Sequence, residues 1–169
     1  LLHRGDAVAP SFSPSGSRVA FWAAINGIRD IWTMPAAGGE PQPVTSGSRN
    51  WHAPVLSPDG SRIAFVDGNA GRTLIFDPRK AWDTQTPEIL PPLGPGRGAF
   101  LTAGSWSPDG HHIAGGETGG PSGLRPGVLV YHLDSRTYER LTDFGDGPRW
   151  LNDSRRLVVA SEGKLFLVD

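Results

Sequence analysis

The sequence predicts an all-β fold, and its composition is the first reason. The chain of 169 residues contains 23 glycines and 16 prolines. Together they make up about 23% of the chain, whereas average usage would give about 12%. This excess indicates many tight turns and argues against a helical bundle or a coiled coil. Because 37% of the residues are hydrophobic and six are Trp, the composition is not that of a disordered segment.

A fourfold internal repeat is the second reason. Its copies span residues 9–21, 53–65, 103–115 and 147–159. Three copies contain Ser-Pro-[Ser/Asp]-Gly followed by x-[Arg/His]-[Val/Ile]-Ala, whereas the fourth has Asn152-Asp153-Ser154 at the turn. The anchor positions, which are spaced by 44, 50 and 44 residues, are Phe12, Leu56, Trp106 and Trp150. A repeat of this length is typical of propellers and solenoids.

Each copy predicts the same series of strands. Ser-Pro-Asp-Gly is turn chemistry, because Pro presets one backbone angle and Gly tolerates the exit geometry. A short apolar strand precedes the turn and a β-rich run follows it, as at residues 18–22. A third strand and a more polar fourth strand complete the unit. Four short strands in about 44 residues are typical of a β-propeller blade. We predict four four-stranded blades at about residues 9–46, 53–93, 103–142 and 147–169.

The first copy carries the fullest version of the pattern. Its defining positions are Pro10, Phe12, Ser13-Pro14, Gly16, Phe21, Asp30-Ile31-Trp32, Gly38-Gly39 and Val44-Thr45. This pattern resembles the TolB-type (WD40-like) β-propeller repeat, and the resemblance covers nearly the whole chain. It implies the fold but says little about function, because such propellers occur in periplasmic translocation proteins, sensor kinases, peptidases and lyases. An extracytoplasmic location, periplasmic or secreted, is implied by the resemblance alone.

The two ends of the sequence leave the arrangement of the ring open. The fourth copy ends after its third strand, and we expect residues 1–6 to form an outer closing strand. The N-terminal strand then closes a four-bladed ring, or a homodimer completes an eight-bladed ring, or the chain is an arc of a larger ring. Because the sequence starts at Leu1 without a visible signal peptide, we expect a segment of a longer protein.

Charge and hydropathy exclude several classes of partner. The formal net charge is −1, with 16 basic and 17 acidic residues, so we expect no nucleic-acid partner. The longest apolar run, residues 19–25, is far below the roughly 20 residues that span a bilayer, so we expect no membrane insertion. The chain contains no Cys, which excludes disulfides and thiolate chemistry.

No catalytic motif is present, and we therefore predict that the chain is not an enzyme and has no cofactor. The sequence lacks G-x-S-x-G, H-E-x-x-H, a P-loop and a calcium-binding loop. None of the five His residues recurs at one position in all blades, so we predict no metal site. A basic position does recur, at Arg18, Arg62, His112 and Arg156, and we interpret it as a solvated strand start paired with turn carboxylates.

The aromatic residues are expected to have two roles. Phe12, Trp106 and Trp150 are predicted to be wedges between blades, and Trp32 is predicted to be one as well. Trp51 and Trp82 fall in predicted loops beside polar residues. Exposed loop aromatics favour partner binding, whereas buried ones support the loop, and the sequence leaves both roles open.

Propeller geometry predicts where a ligand binds. The loops that enter the innermost strands and the loops between the second and third strands share one face, opposite the Ser-Pro-Asp-Gly turns. We predict a binding face there, to which the entry loops also contribute Phe100. Its other members are Asp6, Asn26, Arg29, Asn50, Trp51, His52, Asn69, Arg72, Arg125 and Asp146.

The leading functional prediction is a non-catalytic scaffold that binds a protein or a small ligand, as the sensor or docking portion of a larger bacterial protein. One alternative is the substrate-gating propeller of a peptidase similar to prolyl oligopeptidases. Another is a metal-dependent polysaccharide lyase. A downstream G-x-S-x-G would favour the peptidase, and stoichiometric bound metal would favour the lyase.

Overall fold

The computed structural model describes residues 6–25, 27–47, 50–94, 98–119 and 125–169. The predicted all-β fold is confirmed, since these residues form four antiparallel sheets arranged as the blades of a β-propeller. The helical content within them is a single 3₁₀ turn, Trp82–Thr84.

The strands follow one another across each sheet in chain order, from the innermost outwards. Blade 1 contains β1 (Asp6–Phe12), β2 (Arg18–Ile25), β3 (Ile28–Pro35) and β4 (Gln42–Pro43). Blade 2 contains β5 (Trp51–Leu56), β6 (Ile63–Asp67), β7 (Arg72–Phe76) and β8 (Glu88–Ile89). Blade 3 contains β9 (Ala99–Trp106), β10 (His112–Gly119), β11 (Arg125–His132) and β12 (Thr137–Arg140). Blade 4 contains β13 (Asp146–Trp150), β14 (Leu157–Ser161) and β15 (Lys164–Val168).

The Ser-Pro-Asp-Gly turns close on their own hydrogen bonds. In blade 2, Ser57 Oγ donates to Asp59 Oδ1 at 2.7 Å and accepts from the backbone N–H of Arg62 at 2.9 Å. The N–H of Gly60 donates to the Ser57 carbonyl at 2.9 Å, and Gly60 has a φ of 69°, which favours glycine. In blade 2 these bonds within the motif therefore join the first two strands.

Blade 4 reaches the same geometry with different residues. Asp153 Oδ1 accepts from the backbone N–H groups of Arg155 and Arg156, both at 3.0 Å. In the other three blades a Ser hydroxyl accepts the corresponding strand N–H. Ser154, with a φ of 56°, takes the place of the turn glycine, and its hydroxyl accepts from the N–H of Asp109 in the neighbouring turn.

A Thr after the fourth strand accepts a hydrogen bond from the third strand. It is the second residue of a Val-Thr or Leu-Thr pair. Thr45 Oγ1 accepts from the Ile31 N–H at 2.9 Å, and Thr142 Oγ1 accepts from the Val128 N–H at 3.0 Å. Thr45 also donates to Asp30 at 3.0 Å. Burial raises the pKa of Asp30, and this hydrogen bond opposes the rise.

Every innermost strand of the propeller contains an irregularity in its pairing with the second strand. On the innermost strands, the register shifts lie between Val8 and Ser11, between His52 and Val55, between Ala103 and Ser105, and between Asp146 and Arg149. The bulged residues Ala9 and Ala53 have φ values near 50°, and each precedes a proline. A bulge bends its strand and releases backbone groups from the ladder. The innermost strands, which line the centre of the propeller, therefore have backbone groups that do not pair within their own sheet.

The hydrophobic core lies between consecutive blades, because the innermost strand of each blade packs on the blade before it. Blades 1 and 2 share a cluster that includes Ile31 and Phe65, and blades 2 and 3 share one that includes Ile75 and Tyr131. Blades 3 and 4 enclose a smaller cluster that includes Val130 and Val159. The predicted wedge role holds for Trp106, which is buried in the interface of blades 2 and 3.

Phe12 departs from the predicted wedge role, since its side chain is 63% exposed. The equivalent anchors Leu56 and Trp106 pack on the preceding blade, whereas the described residues place no blade before blade 1. Blade 4 has three described strands instead of four. Asp6 lies in β1 and pairs with Ala24, so it belongs to an innermost strand. The rest of the predicted closing strand, residues 1–5, lies outside the described residues and stays a prediction.

Candidate functional site

Two adjoining cavities of about 330 and 390 Å³ lie where the innermost strands of all four blades converge. The upper cavity, of about 390 Å³, lies towards the ends where the chain enters these strands, and Asp146 and Thr102 contribute to it. The lower cavity, of about 330 Å³, lies towards the Ser-Pro-Asp-Gly turns and includes Phe12, Trp106 and Trp150. Their combined size is within the range of small-molecule and peptide sites.

The first group of predicted binding residues meets where blades 1 and 2 join. Arg29 Nη1 donates to Asn50 Oδ1 at 2.7 Å, and its guanidinium lies 4.8 Å from the ring centre of Trp22. His52 Nδ1 lies 3.2 Å from the backbone oxygen of Asn50. A Cβ atom at Gly68 would lie 2.6 Å from Asn50 Nδ2, so a larger residue there would displace the Asn50 side chain. The structure therefore brings Arg29, Asn50 and His52 into one polar group.

The second group lies in the loop between β6 and β7. The buried carboxylate of Asp67 accepts from the N–H groups of Asn69 and Ala70, and its Oδ2 lies 3.7 Å from Arg72 Nε. The Asn69 side chain is exposed. Phe100 of blade 3 lies against Gly71, where a Cβ would be 3.3 Å from its ring. We call Arg29, Asn50, His52, Asn69 and Arg72 the upper rim.

The remaining predicted binding residues are more scattered. Asp146 is exposed and lines the upper cavity. Asp6 starts β1 and Arg125 starts β11, both at the same face of the propeller. Asn26 lies outside the described residues.

Trp51 does not belong to the accessible binding face. It is the first residue of β5, not a loop residue, and its side chain is only 1% exposed. Its ring makes edge contacts with Phe65 at 5.1 Å and with Trp82 at 5.2 Å. Trp82 itself lies in the 3₁₀ turn and packs on the same cluster. Of the two roles that the sequence left open, the structure gives Trp51 the buried, supporting one, and Trp82 is partly buried against the same cluster.

Arg149 is a cavity residue that the sequence-based prediction missed. It lines both cavities, and its Nη1 donates to the carbonyl oxygens of Gly104 at 2.5 Å and Pro148 at 3.1 Å. The repeat did contain a signal, because the equivalent residues are Ser11, Val55 and Ser105. One charged residue among small or apolar equivalents marks a position where the copies differ in chemistry.

Comparison with known proteins gives a match only at the level of structure. No family model matches the sequence, and no curated protein matches it. TolB from Acinetobacter baumannii has a TM-score of 0.68 at 18% identity over 96% of this chain. A putative TolB from Agrobacterium tumefaciens has a TM-score of 0.63 at 22% identity over 92% of the chain.

The fold is that of a TolB-type β-propeller. The chain spans 40% of the Acinetobacter TolB and 54% of the putative Agrobacterium TolB. A puromycin hydrolase, solved as its S511A mutant with PGG, is also similar, with a TM-score of 0.67 and 20% identity. That match covers 98% of this chain and 30% of the hydrolase. At these identities the likeness establishes the fold and leaves the function to the residues of the site.

The face that carries the Ser-Pro-Asp-Gly turns has a different chemistry from the upper rim. Hydrogen bonds from Ser61 and Ser57 lower the pKa of Asp59. Burial opposes ionisation of Asp109, but hydrogen bonds from Ser107 and from the backbone N–H of residue 111 outweigh it, so its pKa is lowered. Hydrogen bonds from Arg156 and the Arg155 backbone lower the pKa of Asp153 to about 2. The turn carboxylates are therefore structural acceptors that stay ionised at neutral pH.

The recurring basic residues of the repeat make contacts within their own surroundings. Arg156 pairs with Asp153 at 2.6 Å, and His112 lies 3.6 Å from Asp109. Arg62 lies 5.0 Å from the ring centre of Trp106, and Arg18 donates to Thr33 at 2.8 Å. No ring of free positive charge results from these four positions.

The part of the chain that the structure describes contains no group of three or more His, Asp or Glu side chains arranged to hold a metal ion. Nor does it contain a helix with the length and hydropathy needed to cross a membrane.

Proposed function

We propose that this chain is a non-catalytic binding scaffold, the sensor or docking portion of a larger bacterial protein. One observation carries the proposal. The innermost strands of all four blades converge on adjoining cavities, and polar side chains gather at the end where the chain enters these strands. A rigid β scaffold that carries varied loop residues at one end is a common basis for recognition.

The chemistry of the upper rim supports recognition rather than reaction. Arg29 and Asn50 hold each other, and Asp67 fixes the loop that carries Asn69 and Arg72. These side chains offer hydrogen-bond donors and acceptors in fixed positions. Their arrangement provides no nucleophile with an adjacent base, which acyl transfer requires.

The partner that fits the upper rim is a protein or a small polar ligand. A net charge near zero does not favour nucleic acid. The structural likeness to TolB supports an extracytoplasmic location, which remains part of the proposal. A homodimer that completes the ring is also part of the proposal, and light scattering of the purified protein would measure it.

The binding test places a photo-crosslinking amino acid at Asn69 of the full-length protein in its native host. Asn69 is exposed and bonds Asp67 through its backbone N–H, so replacing its side chain leaves this loop contact intact. We expect one discrete crosslinked species from this position. The matched control carries the same amino acid at Arg79, an exposed residue near the opposite end of blade 2, and should give none.

A second variant tests whether the crosslink depends on the upper rim. Arg29→Ala removes the hydrogen bond to Asn50 and should weaken the crosslink at Asn69 without lowering the melting temperature appreciably. Equal crosslinking at Asn69 and Arg79, or an unchanged crosslink in the Arg29→Ala variant, would exclude the upper rim as the binding face. Catalytic turnover by the purified chain itself would overturn the non-catalytic part of the proposal.

A peptidase-gating propeller is the second candidate. It is favoured by the cavities along the centre of the propeller and by the similarity to the puromycin hydrolase. This candidate requires a hydrolase domain in the full-length protein. Peptide hydrolysis that is lost when the G-x-S-x-G serine of that domain is replaced would favour it over the docking role.

A further inference from the structure

The lower cavity combines an apolar wall with one fixed charge. Its aromatic residues are Phe12, Trp106 and Trp150, from blades 1, 3 and 4. Phe12 is mostly exposed there, whereas Trp106 is held by a hydrogen bond from its Nε1 to the Gly110 carbonyl at 3.1 Å. Three prolines complete the apolar lining, at positions 10, 14 and 108.

Arg149 is held in place by the protein backbone rather than by a carboxylate. Both of its hydrogen bonds, to Gly104 and Pro148, are made by Nη1. The bond to Gly104 crosses from blade 4 to blade 3, the bond to Pro148 stays within blade 4, and together they fix the guanidinium at the boundary of the two cavities. Within the described ranges, Nε and Nη2 of Arg149 have no hydrogen-bond partner, so they are free to bind a ligand.

The lower cavity supplies no negative charge to balance Arg149. Among the described residues that line it, Arg149 is the only ionisable one. No carboxylate of the described chain lies within ion-pair distance of its guanidinium, whereas most other described arginines have one. Arg149 is exposed at the edge of this cavity, so its attraction for an anion rests on the geometry of its free N–H donors rather than on exclusion of water. Carboxylates match its planar donor geometry.

We propose that the lower cavity binds a carboxylate attached to an apolar group, as presented by the C-terminus of a peptide that ends in an apolar residue. The carboxylate bonds the free Nε and Nη2 groups of Arg149. The apolar side chain packs against Phe12, Trp106 and Trp150. This inference deepens the proposed binding function, and it assigns a site other than the upper rim.

The lining favours a carboxylate over a phosphate. A phosphate dianion recruits several cationic or backbone donors, whereas a single Arg faces this cavity. Hydroxyls of Ser11 and Ser105 and the bulged backbone of the innermost strands offer polar contacts for a peptide main chain. A free apolar acid shares the carboxylate chemistry but lacks the peptide groups.

Calorimetric titration of the purified protein with N-acetyl-Ala-Ala-Phe tests the proposal. The free acid should bind at least about tenfold more tightly than the C-terminal amide of the same peptide, because only the acid makes a charge-assisted pair. 3-Phenylpropionate distinguishes the two sources of the carboxylate. Binding as tight as that of the peptide would assign the site to small acids rather than to peptide ends.

Two variants connect the affinity to the cavity. Arg149→Gln should lower the affinity for the free acid at least about tenfold and abolish the preference for acid over amide. Phe12→Ala should weaken binding about three- to tenfold without unfolding the protein, because this side chain is already exposed. Arg79→Gln, the matched control for loss of an exposed Arg, should leave the affinity unchanged.

Three results would overturn the inference. The first is equal affinity for the acid and the amide, and the second is an affinity for the acid that Arg149→Gln leaves unchanged. The third is no binding of the acid at millimolar concentration, measured on protein whose cooperative thermal transition shows that it is folded. The crosslinking test at Asn69 is independent of this titration. If the acid does not bind but the crosslink at Asn69 forms, the site in the lower cavity is excluded and the upper rim is retained. If the acid binds but the crosslink does not form, the upper rim is excluded and the lower cavity is retained.

Discussion

Blades 3 and 4 carry closely similar third strands in opposite surroundings. Val128 and Val130 of β11 are 0% and 2% exposed, because blade 4 packs on them. Aligned through their pairing with the second strand, the equivalent residues of β15 are Leu165 and Leu167. These two side chains are 75% and 59% exposed, since no described blade covers that face.

This difference teaches that a propeller strand gains its burial from the next blade rather than from its own sheet. The pattern of β15 is as apolar as that of β11, and its pairing with β14 is regular. Phe144 and Phe166 cover part of blade 4 by packing ring to ring at 5.2 Å. The exposed row on blade 4 is therefore an apolar surface that no described blade covers, and such patches favour association.

The largest effect is expected at the most aromatic interface. Trp51→Ala should lower the free energy of unfolding by about 3–5 kcal/mol, because it empties a large, fully packed site between blades 1 and 2. Urea denaturation followed by circular dichroism measures the change. Phe12→Ala, at an exposed anchor, should cost less than about 0.5 kcal/mol. A similar cost for both variants would mean that interblade packing does not determine stability.

A matched pair of substitutions examines the two third strands directly. Val130→Thr should cost about 1–3 kcal/mol, because it buries a hydroxyl between blades 3 and 4. Leu167→Thr at the equivalent, exposed position should change the free energy of unfolding by less than about 0.5 kcal/mol. If Leu167→Thr lowered the free energy of unfolding as much as Val130→Thr, the face of blade 4 that carries Leu167 would be buried in solution.

The turn carboxylates of blades 3 and 4 predict that the stability of the protein depends on pH. The pKa of Asp153 is about 2 and that of Asp109 is lowered, both relative to an ordinary value of 3.8. The unfolded chain therefore binds more protons below about pH 4, and stability should fall as the pH drops through the folded-state values. Urea midpoints measured between pH 5 and pH 2 would show this. Asp153→Asn should flatten the profile, and an unchanged profile would assign the acid sensitivity to other carboxylates.

The smallest effect is expected at the bulges that all blades share. Ala53 has a φ of 50°, where a side chain is strained, so Ala53→Gly should stabilise the protein by about 0.5–1 kcal/mol. Ala20→Gly, in the regular strand β2, should instead destabilise it by about 1 kcal/mol. Thermal unfolding of both variants measures the difference. Destabilisation by Ala53→Gly would show that its Cβ contributes more packing than its backbone costs.

The repeat predicted the blades well, because strands and turns depend on local residue types. Ser57, Pro58 and Gly60 specify their turn within a few residues, and the fold followed from them. The roles of Trp51 and Phe12 were harder to predict, since a polar flank or a repeat anchor does not reveal which blade covers a side chain.

The candidate site was predictable only in part. Entry and middle loops were expected at one face, and the structure brings Arg29, Asn50 and His52 together there. Arg149 lies in the middle of an innermost strand, where sequence periodicity predicts no more than alternating burial. Its exposure to the cavities depends on the bulge before it and on the carbonyl of Gly104 in the preceding blade. Such contacts between repeats have no signature within one repeat.

The self-contained turns have a consequence for how the chain is made. A hairpin of this kind forms in about 1–10 μs, whereas a ribosome adds about 5–20 residues per second. A repeat of 44 residues thus emerges over about 2–9 s, which leaves time for each blade to form during synthesis. Every nascent blade then presents an uncovered apolar face until its successor arrives. The exposed row of Leu165 and Leu167 shows what a chaperone at the exit tunnel would encounter between one blade and the next.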